Sequence, residues 1–214
     1  MSALRNTLAG TLSAVFFGIL TAGAAVAACD PDDAIFADDF EFMDASWGDP
    51  DGSFFVENGA LVVKGYRAQV NFSTQNEGAN VCVDIKAAEV ADTTSSPAGV
   101  IFWWKDWDNY YYFYSWNDGV VEARRVLKGK MSVIFSMTVP AMKTGVGQTN
   151  SFEIDLKPKD ATLFVNGTQV KRFKGVQPKG GGVVGVTASS PDDKPARYEF
   201  DNFVVSAPAE EPAE

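Results

Sequence analysis

Short apolar runs separated by strong turn signals are the feature that most constrains the fold of this chain. Asn166-Gly167 lies between Leu163–Val165 and Thr168–Lys171, and an Asn-Gly pair between such runs is the strongest short-range hairpin signal. Glu57-Asn58-Gly59 predicts a second hairpin, and Ser151–Lys157 alternates apolar and charged residues along a strand. The apolar period of a long helix is missing after residue 30. The pattern predicts an all-β protein, a two-sheet antiparallel β-sandwich.

The first 28 residues are typical of an export signal. Arg5 precedes an apolar stretch that begins at Leu8, and small residues follow up to Ala25-Val26-Ala27. We expect residues 1–28 to be a cleaved signal peptide, although an uncleaved membrane anchor is an alternative. The predicted sandwich domain then covers 29–206, and the acidic, proline-rich residues 207–214 are predicted to be a disordered tail. Export implies a periplasmic or extracellular location without membrane insertion after cleavage.

Two cysteines are present, Cys29 and Cys82. An even count in an exported chain predicts one disulfide, which would close a loop of roughly fifty residues. The alternative is lipidation, because Val26-Ala27-Ala28-Cys29 resembles the lipobox of bacterial lipoproteins. Cys29 would then carry a lipid anchor, and Cys82 would be a lone thiol.

Composition excludes several classes of function. The chain has no histidine, so Ser-His-Asp and Cys-His catalysis and histidine-ligated zinc are excluded. The formal net charge of −10 argues against nucleic acid and anionic membranes as partners, because both select clustered Lys and Arg. An enzyme of this composition would have to use carboxylates, Lys, Tyr or a hard metal.

The segment Gly99–Lys128 predicts two consecutive hairpins rich in aromatic residues. Turns at Asp106–Asn109 and Asn117–Gly119 pair Gly99–Lys105 with Tyr110–Trp116, and Tyr110–Trp116 with Val120–Val126. Strand alternation then sorts the side chains onto two faces. The predicted core face holds Val100, Phe102, Trp104, Tyr111, Phe113, Val121 and Ala123. The other face holds Trp103, Lys105, Tyr110, Tyr112, Tyr114, Trp116, Glu122 and Arg124.

The second of these faces is a candidate carbohydrate-binding surface. Flat aromatic rings stack on the CH faces of sugars, and a carboxylate or guanidinium can hydrogen-bond sugar hydroxyls. The alternative is purely structural, because cross-strand aromatic pairs also stabilise exposed sheets. A register slip of one residue would exchange the two faces.

Three carboxylates are catalytic candidates: Glu122, Glu153 and Asp155. Glu153-Ile154-Asp155 resembles the start of the motif that carries the two catalytic glutamates of laminarinase-like glycoside hydrolases. The second glutamate of that motif is missing, because Lys157-Pro158 occupies its place. Glu153 and Asp155 would share one strand face at roughly 6.6 Å. The alternative is an ordinary solvent-facing strand.

Several short segments, taken in order, resemble the concanavalin A-like lectin/glucanase superfamily, and within it the 3-keto-disaccharide hydrolase domain. The matching segments are Phe36–Phe40, Trp47, Glu57–Leu61, Ala98–Trp104, Asp108–Tyr111, Phe164–Gly167, Gly182–Val186 and Phe200–Val205.

The resemblance implies a jelly roll of two antiparallel sheets, one of them concave, with Asp38–Phe40 beside Phe200–Phe203. It also implies a calcium ion held near Asp39 and Asp201, although these aspartates could instead hold turns. Activity does not transfer with such a fold. The first hypothesis is therefore a non-catalytic glycan-binding sandwich. The alternatives are a glycoside hydrolase acting on 3-keto-disaccharide-type or other glycosidic bonds, and a structural envelope protein. The oligomeric state is left open.

Overall fold

The computed structural model describes Cys29 and residues 31–208. The predicted signal peptide and residues 209–214 of the predicted tail lie outside the described residues. Within the described residues, fourteen strands follow one another: β1 Ala34–Asp38, β2 Phe54–Glu57, β3 Ala60–Lys64, β4 Arg67–Asn76, β5 Ala79–Glu89, β6 Ala98–Asp106, β7 Asn109–Ser115, β8 Val120–Leu127, β9 Lys130–Thr138, β10 Thr149–Lys157, β11 Asp160–Val165, β12 Thr168–Lys174, β13 Gly182–Ala188 and β14 Arg197–Ser206. Two short 3₁₀ turns, Pro31–Asp33 and Ala45–Trp47, flank β1.

The strands form two sheets, as predicted. The eight-stranded sheet has the order β12-β11-β10-β5-β14-β3-β2, with β1 also paired to β14. The six-stranded sheet has the order β4-β13-β6-β7-β8-β9. The pairings are antiparallel, so the structure confirms the two-sheet antiparallel sandwich. In the described part of the chain, no helix is long and apolar enough to cross a membrane.

The two Asn-Gly hairpins form where the sequence predicts them. Asn58 and Gly59 have φ values of 53° and 72°, and Asn166 and Gly167 have values of 49° and 72°. Positive φ at both central residues matches the twist of the flanking strands. Asn166 is further fixed because its side-chain amide donates to the Ala141 carbonyl at 2.7 Å.

The core lies between the two sheets and is built by strand alternation. Phe152, Ile154 and Leu156 of β10 point into it, while Glu153 and Asp155 between them point outward. From the opposite sheet, inward side chains of β6, β7 and β8 complete the core: Val100, Phe102, Tyr111, Phe113, Val121 and Ala123. Six of the seven residues predicted for this core face therefore lie there.

Both ends of the described part of the chain are attached to the eight-stranded sheet. Asp38 of β1 pairs with Phe203 of β14, which confirms the predicted neighbourhood of the opening and closing strands. Cys29 forms a disulfide with Cys82 of β5, with a Cα–Cα distance of 6.1 Å. The predicted disulfide is confirmed. A sulfur atom bonded to Cys82 cannot also carry a lipid, so the lipobox alternative is incompatible with this bond.

Candidate functional site

The β7–β8 hairpin has the predicted register. Tyr114 pairs with Glu122 and Tyr112 with Arg124, so these four side chains share the outer face of the six-stranded sheet. Gly119 closes the turn with φ 95°.

Trp103 does not lie on this outer face, and that prediction is wrong. Between the pairs Phe102↔Tyr111 and Asp106↔Asn109, β6 has three residues where β7 has one. Trp103 takes up the resulting bulge with φ 47°, and its side chain turns inward with 1% exposure. Its ring packs on Phe102 and Tyr111 of the core at centroid distances of 5.5 and 5.0 Å.

Trp104 takes the outward place instead, although the alternation predicted it in the core. It joins a second apolar cluster on the outer face, whose buried members are Val70, Ile101, Tyr110, Val126 and Val183. Lys105 is exposed beside the bulge. The bulge thus exchanges the two tryptophans between the sheet faces, because an insertion in one strand locally breaks strict alternation.

A continuous run of aromatic rings crosses the outer face. Successive rings meet edge to face at centroid distances between 4.7 and 5.8 Å. The order is Phe72, Trp104, Trp107, Tyr110, Tyr112, Tyr114 and Trp116. Such contacts contribute about 0.5–1.5 kcal/mol each beyond their buried area. The run therefore fixes the tyrosines in place, so they need little ordering when a ligand binds.

A cleft of about 170 Å³ lies beside the middle of this run. It is lined by side chains from six separate parts of the chain: Tyr66, Pro97, Tyr112, Tyr114, Arg124, Met131, Thr187 and Ser189. Across the sheet, Thr187 pairs with Gly99, and Gly99 pairs with Tyr114. Gly99 has no side chain to fill the space between these two cleft residues, and a Cβ there would lie 2.4 Å from the Tyr114 Cα. Glycine at this position keeps the strands close and the floor open.

Glu122 and Arg124 form an ion pair at one side of the cleft. The Arg124 Nε donates to Glu122 Oε1, and the Tyr114 hydroxyl donates to the same oxygen at 3.3 Å. The Glu122 side chain is 8% exposed and that of Arg124 is 29% exposed. The guanidinium lies over the rings of Tyr114 and Trp116, at 5.4 and 5.9 Å from their centroids. The buried carboxylate therefore orients the arginine, whose outer nitrogens remain near the cleft.

The hydroxyls of Tyr112 and Tyr114 at the cleft stay protonated at neutral pH. Burial raises the pKa of Tyr112 well above its ordinary value, and the hydrogen bond with the Tyr110 hydroxyl raises it further. Burial also raises the pKa of Tyr114, although the charge of Arg124 opposes this rise. Neutral phenol groups can both donate and accept hydrogen bonds, as sugar hydroxyls require.

The other carboxylate candidates lie on the opposite side of the molecule. Glu153 and Asp155 project from the outer surface of the eight-stranded sheet, whereas Glu122 projects from the outer surface of the six-stranded sheet. Stacked sheets lie roughly 10 Å apart. Glu122 therefore cannot act with Glu153 or Asp155, since glycosidase pairs are separated by about 5–9.5 Å. Burial raises the pKa of Glu153, and the neighbouring charge of Asp155 adds to it.

Asp39 and Asp201 are the residues expected to bind calcium, and each accepts a hydrogen bond from a backbone N–H. Asp39 accepts from Glu41 at 3.3 Å and Asp201 from Asn202 at 2.7 Å. Within the described residues, no three Cys, Asp or Glu side chains are grouped closely enough to hold a metal ion. Calcium takes six to eight oxygen ligands, so a site here would need main-chain carbonyls, side-chain amides or water beside the two carboxylates. Calcium binding stays a prediction of the resemblance.

Comparison with solved structures identifies similar folds. The fold is that of lectin- and glucanase-like sandwiches. The laminarinase catalytic domain of Thermotoga maritima MSB8 matches with a TM-score of 0.60 at 12% identity, over 83% of this chain and 98% of that domain. The carbohydrate-binding module CBM66 of Bacillus subtilis matches with a TM-score of 0.53 at 14% identity, over 72% of this chain and 85% of the module.

A third similar structure is the GH43 protein BlXynB of Bacillus licheniformis, with a TM-score of 0.59 at 14% identity. The match covers 83% of this chain but 40% of that protein. No protein-family model and no curated protein sequence matches the chain. At these identities the likeness concerns the fold.

Sequence reasoning missed the cleft residues outside the two hairpins. Tyr66 follows Gly65 in the turn between β3 and β4, and Thr187 and Met131 come from β13 and β9. Only the pairing of distant strands brings them to Tyr112. One local signal existed for Tyr66, because a tyrosine beside a turn glycine is exposed, here by 71%.

Proposed function

We propose that this protein binds carbohydrate in the cleft on the outer face of the six-stranded sheet. One observation carries the proposal: protonated tyrosines and an ion-paired arginine surround a small cleft beside a run of aromatic rings. Ring faces can stack on a pyranose, and the hydroxyl and guanidinium groups can hydrogen-bond its substituents. The fold is shared with a carbohydrate-binding module and with glycoside hydrolases, which supports the same proposal.

Binding without catalysis is the form of the proposal that the geometry favours. A glycoside hydrolase needs its acid and its second carboxylate at the place where the sugar binds. At the cleft, Glu122 is buried and paired with Arg124, while Glu153 and Asp155 lie beyond the other sheet. The aromatic surface and the carboxylate pair are therefore separate.

A glycan array followed by calorimetric titration tests the proposal. Tyr66→Ala removes an exposed cleft side chain, and Phe42→Ala is a matched control because Tyr66 and Phe42 are both 71% exposed. We expect Tyr66→Ala to weaken binding about tenfold, the loss of one stacking contact, and Phe42→Ala to leave it unchanged. If no saccharide binds, or if both variants bind like the wild type, the cleft is not a carbohydrate site.

The alternative of hydrolysis is tested with the same protein. The resemblance in sequence suggests 3-keto-glucosides and neutral β-glucans as substrates to try. Turnover that is lost in Glu153→Gln, with binding retained, would assign catalysis to the eight-stranded sheet instead. If the protein binds carbohydrate without cleaving it, neither substrate is turned over.

A further inference from the structure

A second, more open depression adjoins the cleft. It has a volume of about 370 Å³ and is lined by Tyr66, Arg67, Ala68, Gln69 and Trp107. Tyr66 belongs to both spaces and stands between them. Trp107 is 49% exposed, and its ring is connected through Tyr110 to Tyr112 of the cleft. An exposed aromatic ring thus lines the depression, two ring contacts away from Tyr112 of the cleft.

The size of the two spaces bears on the length of the ligand. Pockets that enclose a small ligand measure about 300–1,000 Å³, and the cleft alone, at about 170 Å³, is smaller. The adjoining depression supplies the remaining volume. A ligand that uses both must pass Tyr66, so it has to be an extended chain with sugar units on either side of that ring.

The charges around the two spaces bear on the chemistry of the ligand. Among the described residues, Arg124 and Arg67 are the charged side chains that line them. Arg124 is paired with Glu122, and the Arg67 Nη1 lies 3.0 Å from Asp51 Oδ2. Each positive charge is therefore compensated within the protein. Because the whole chain has a formal net charge of −10, no surplus of positive charge is left to attract an anionic polymer.

We infer that the ligand is an uncharged, linear oligosaccharide or polysaccharide segment that runs from the cleft past Tyr66 to Trp107. This inference rests on the proposed function and goes beyond it, because it specifies chain length, linear form and charge. Trp107 then contributes to binding only when the chain is long enough to reach it.

Calorimetric titration of the mature protein tests the inference. The probes are linear neutral glucans, galactans and xylans from monosaccharide to hexasaccharide, and oligogalacturonates of the same lengths. Trp107→Ala is compared with Phe72→Ala, a control on the same face. The Phe72 and Trp107 rings each contact Trp104 at 5.6 Å, but Phe72 lines neither space. Both variants lose a ring contact with Trp104, and Trp107→Ala also loses one with Tyr110, so unfolding curves check that each variant is folded.

We expect affinity to rise with chain length for a neutral series and to exceed that for oligogalacturonates. Trp107→Ala should weaken hexasaccharide binding about tenfold, leave the shortest bound sugar unaffected, and differ in this from Phe72→Ala. Equal affinity for short and long chains, an equal loss at every length in Trp107→Ala, or preferred binding of oligogalacturonates would overturn the inference while the proposed function stands. Absence of binding to every probe would overturn both.

Discussion

The ion pair beside the cleft gives a prediction whose size follows from burial. In Arg124→Met, the Glu122 carboxylate keeps the Tyr114 hydroxyl as a donor but loses its counter-ion. Breaking a buried pair by removing one partner costs about 3–5 kcal/mol. The Glu122 side chain is 8% exposed while that of Arg124 is 29% exposed, so we expect a value near the lower end, about 3 kcal/mol.

Substitution of the other partner, Glu122, should lower the free energy of unfolding by less. In Glu122→Gln, the guanidinium loses a charge-assisted hydrogen bond, but its exposed part can be hydrated and it still lies over the Tyr114 ring. We expect a loss of about 1.5 kcal/mol. The double variant leaves no buried charge, so it should lower the free energy of unfolding by about 2 kcal/mol rather than by the sum of the single losses. The coupling energy between the two residues is then about 2.5 kcal/mol, within the range for contacting residues.

Urea unfolding of the oxidised protein, followed by tryptophan fluorescence, measures all four free energies of unfolding. The same four proteins also distinguish an effect on stability from an effect on binding, because each can be titrated with glycan in the absence of urea, where it is fully folded. If Arg124→Met cost less than Glu122→Gln, or if the two losses were additive, Glu122 would not be a buried charge held by Arg124. The picture of an arginine oriented by a buried carboxylate would then be refuted.

Three further predictions concern the fold. Trp103→Ala should lower the free energy of unfolding in urea by about 3–5 kcal/mol, because the bulge places the ring in the core. A loss near zero would mean that the Trp103 ring lies on the surface. Replacing Cys29 and Cys82 by serine should lower the free energy of unfolding by about 4 kcal/mol on the chain-entropy model, given the sequence separation of 53, and an unchanged value would mean that the bond does not form. Glu153→Gln should be more stable than the wild type at pH 7, because burial and the charge of Asp155 raise the Glu153 pKa in the folded state. The stabilisation that the raised pKa brings to the wild type is complete below the ordinary value of 4.5 and is lost as the pH rises through the raised pKa of the folded state. The two proteins should therefore converge in acid, and a constant difference across a pH series of unfolding curves would contradict this.

Features encoded within a few residues were predictable from the sequence. The Asn-Gly turns, the register of β7 on β8 and the alternation of β10 all depend on local turn geometry and on which residues are apolar. The disulfide was predicted from the count of cysteines, but the alternative of lipidation could be set aside only when Cys29 was seen beside Cys82.

The shape of the cleft was not predictable, because it depends on pairing between distant strands. Thr187 reaches Tyr114 through Gly99, and each of these residues comes from a different strand. Nothing near Gly99 in the sequence shows that its missing side chain would open a floor beside a tyrosine. Tyr66 likewise enters the cleft only because β4 lies at the other side of β13.

The bulge in β6 explains why most of the predicted faces were right although one tryptophan was misplaced. Between Phe102 and Asp106, β6 carries two residues more than β7 does between Tyr111 and Asn109. Because side chains alternate between faces with a period of two residues, two additional residues leave the alternation before and after the bulge in phase. Phe102 and Val100 therefore face the core as predicted. An excess of one residue would have turned Phe102 and Val100 outward. The exchange of faces is therefore confined to the bulge itself: Trp103 closes the core, and Trp104 links the aromatic run to Trp107 at the depression.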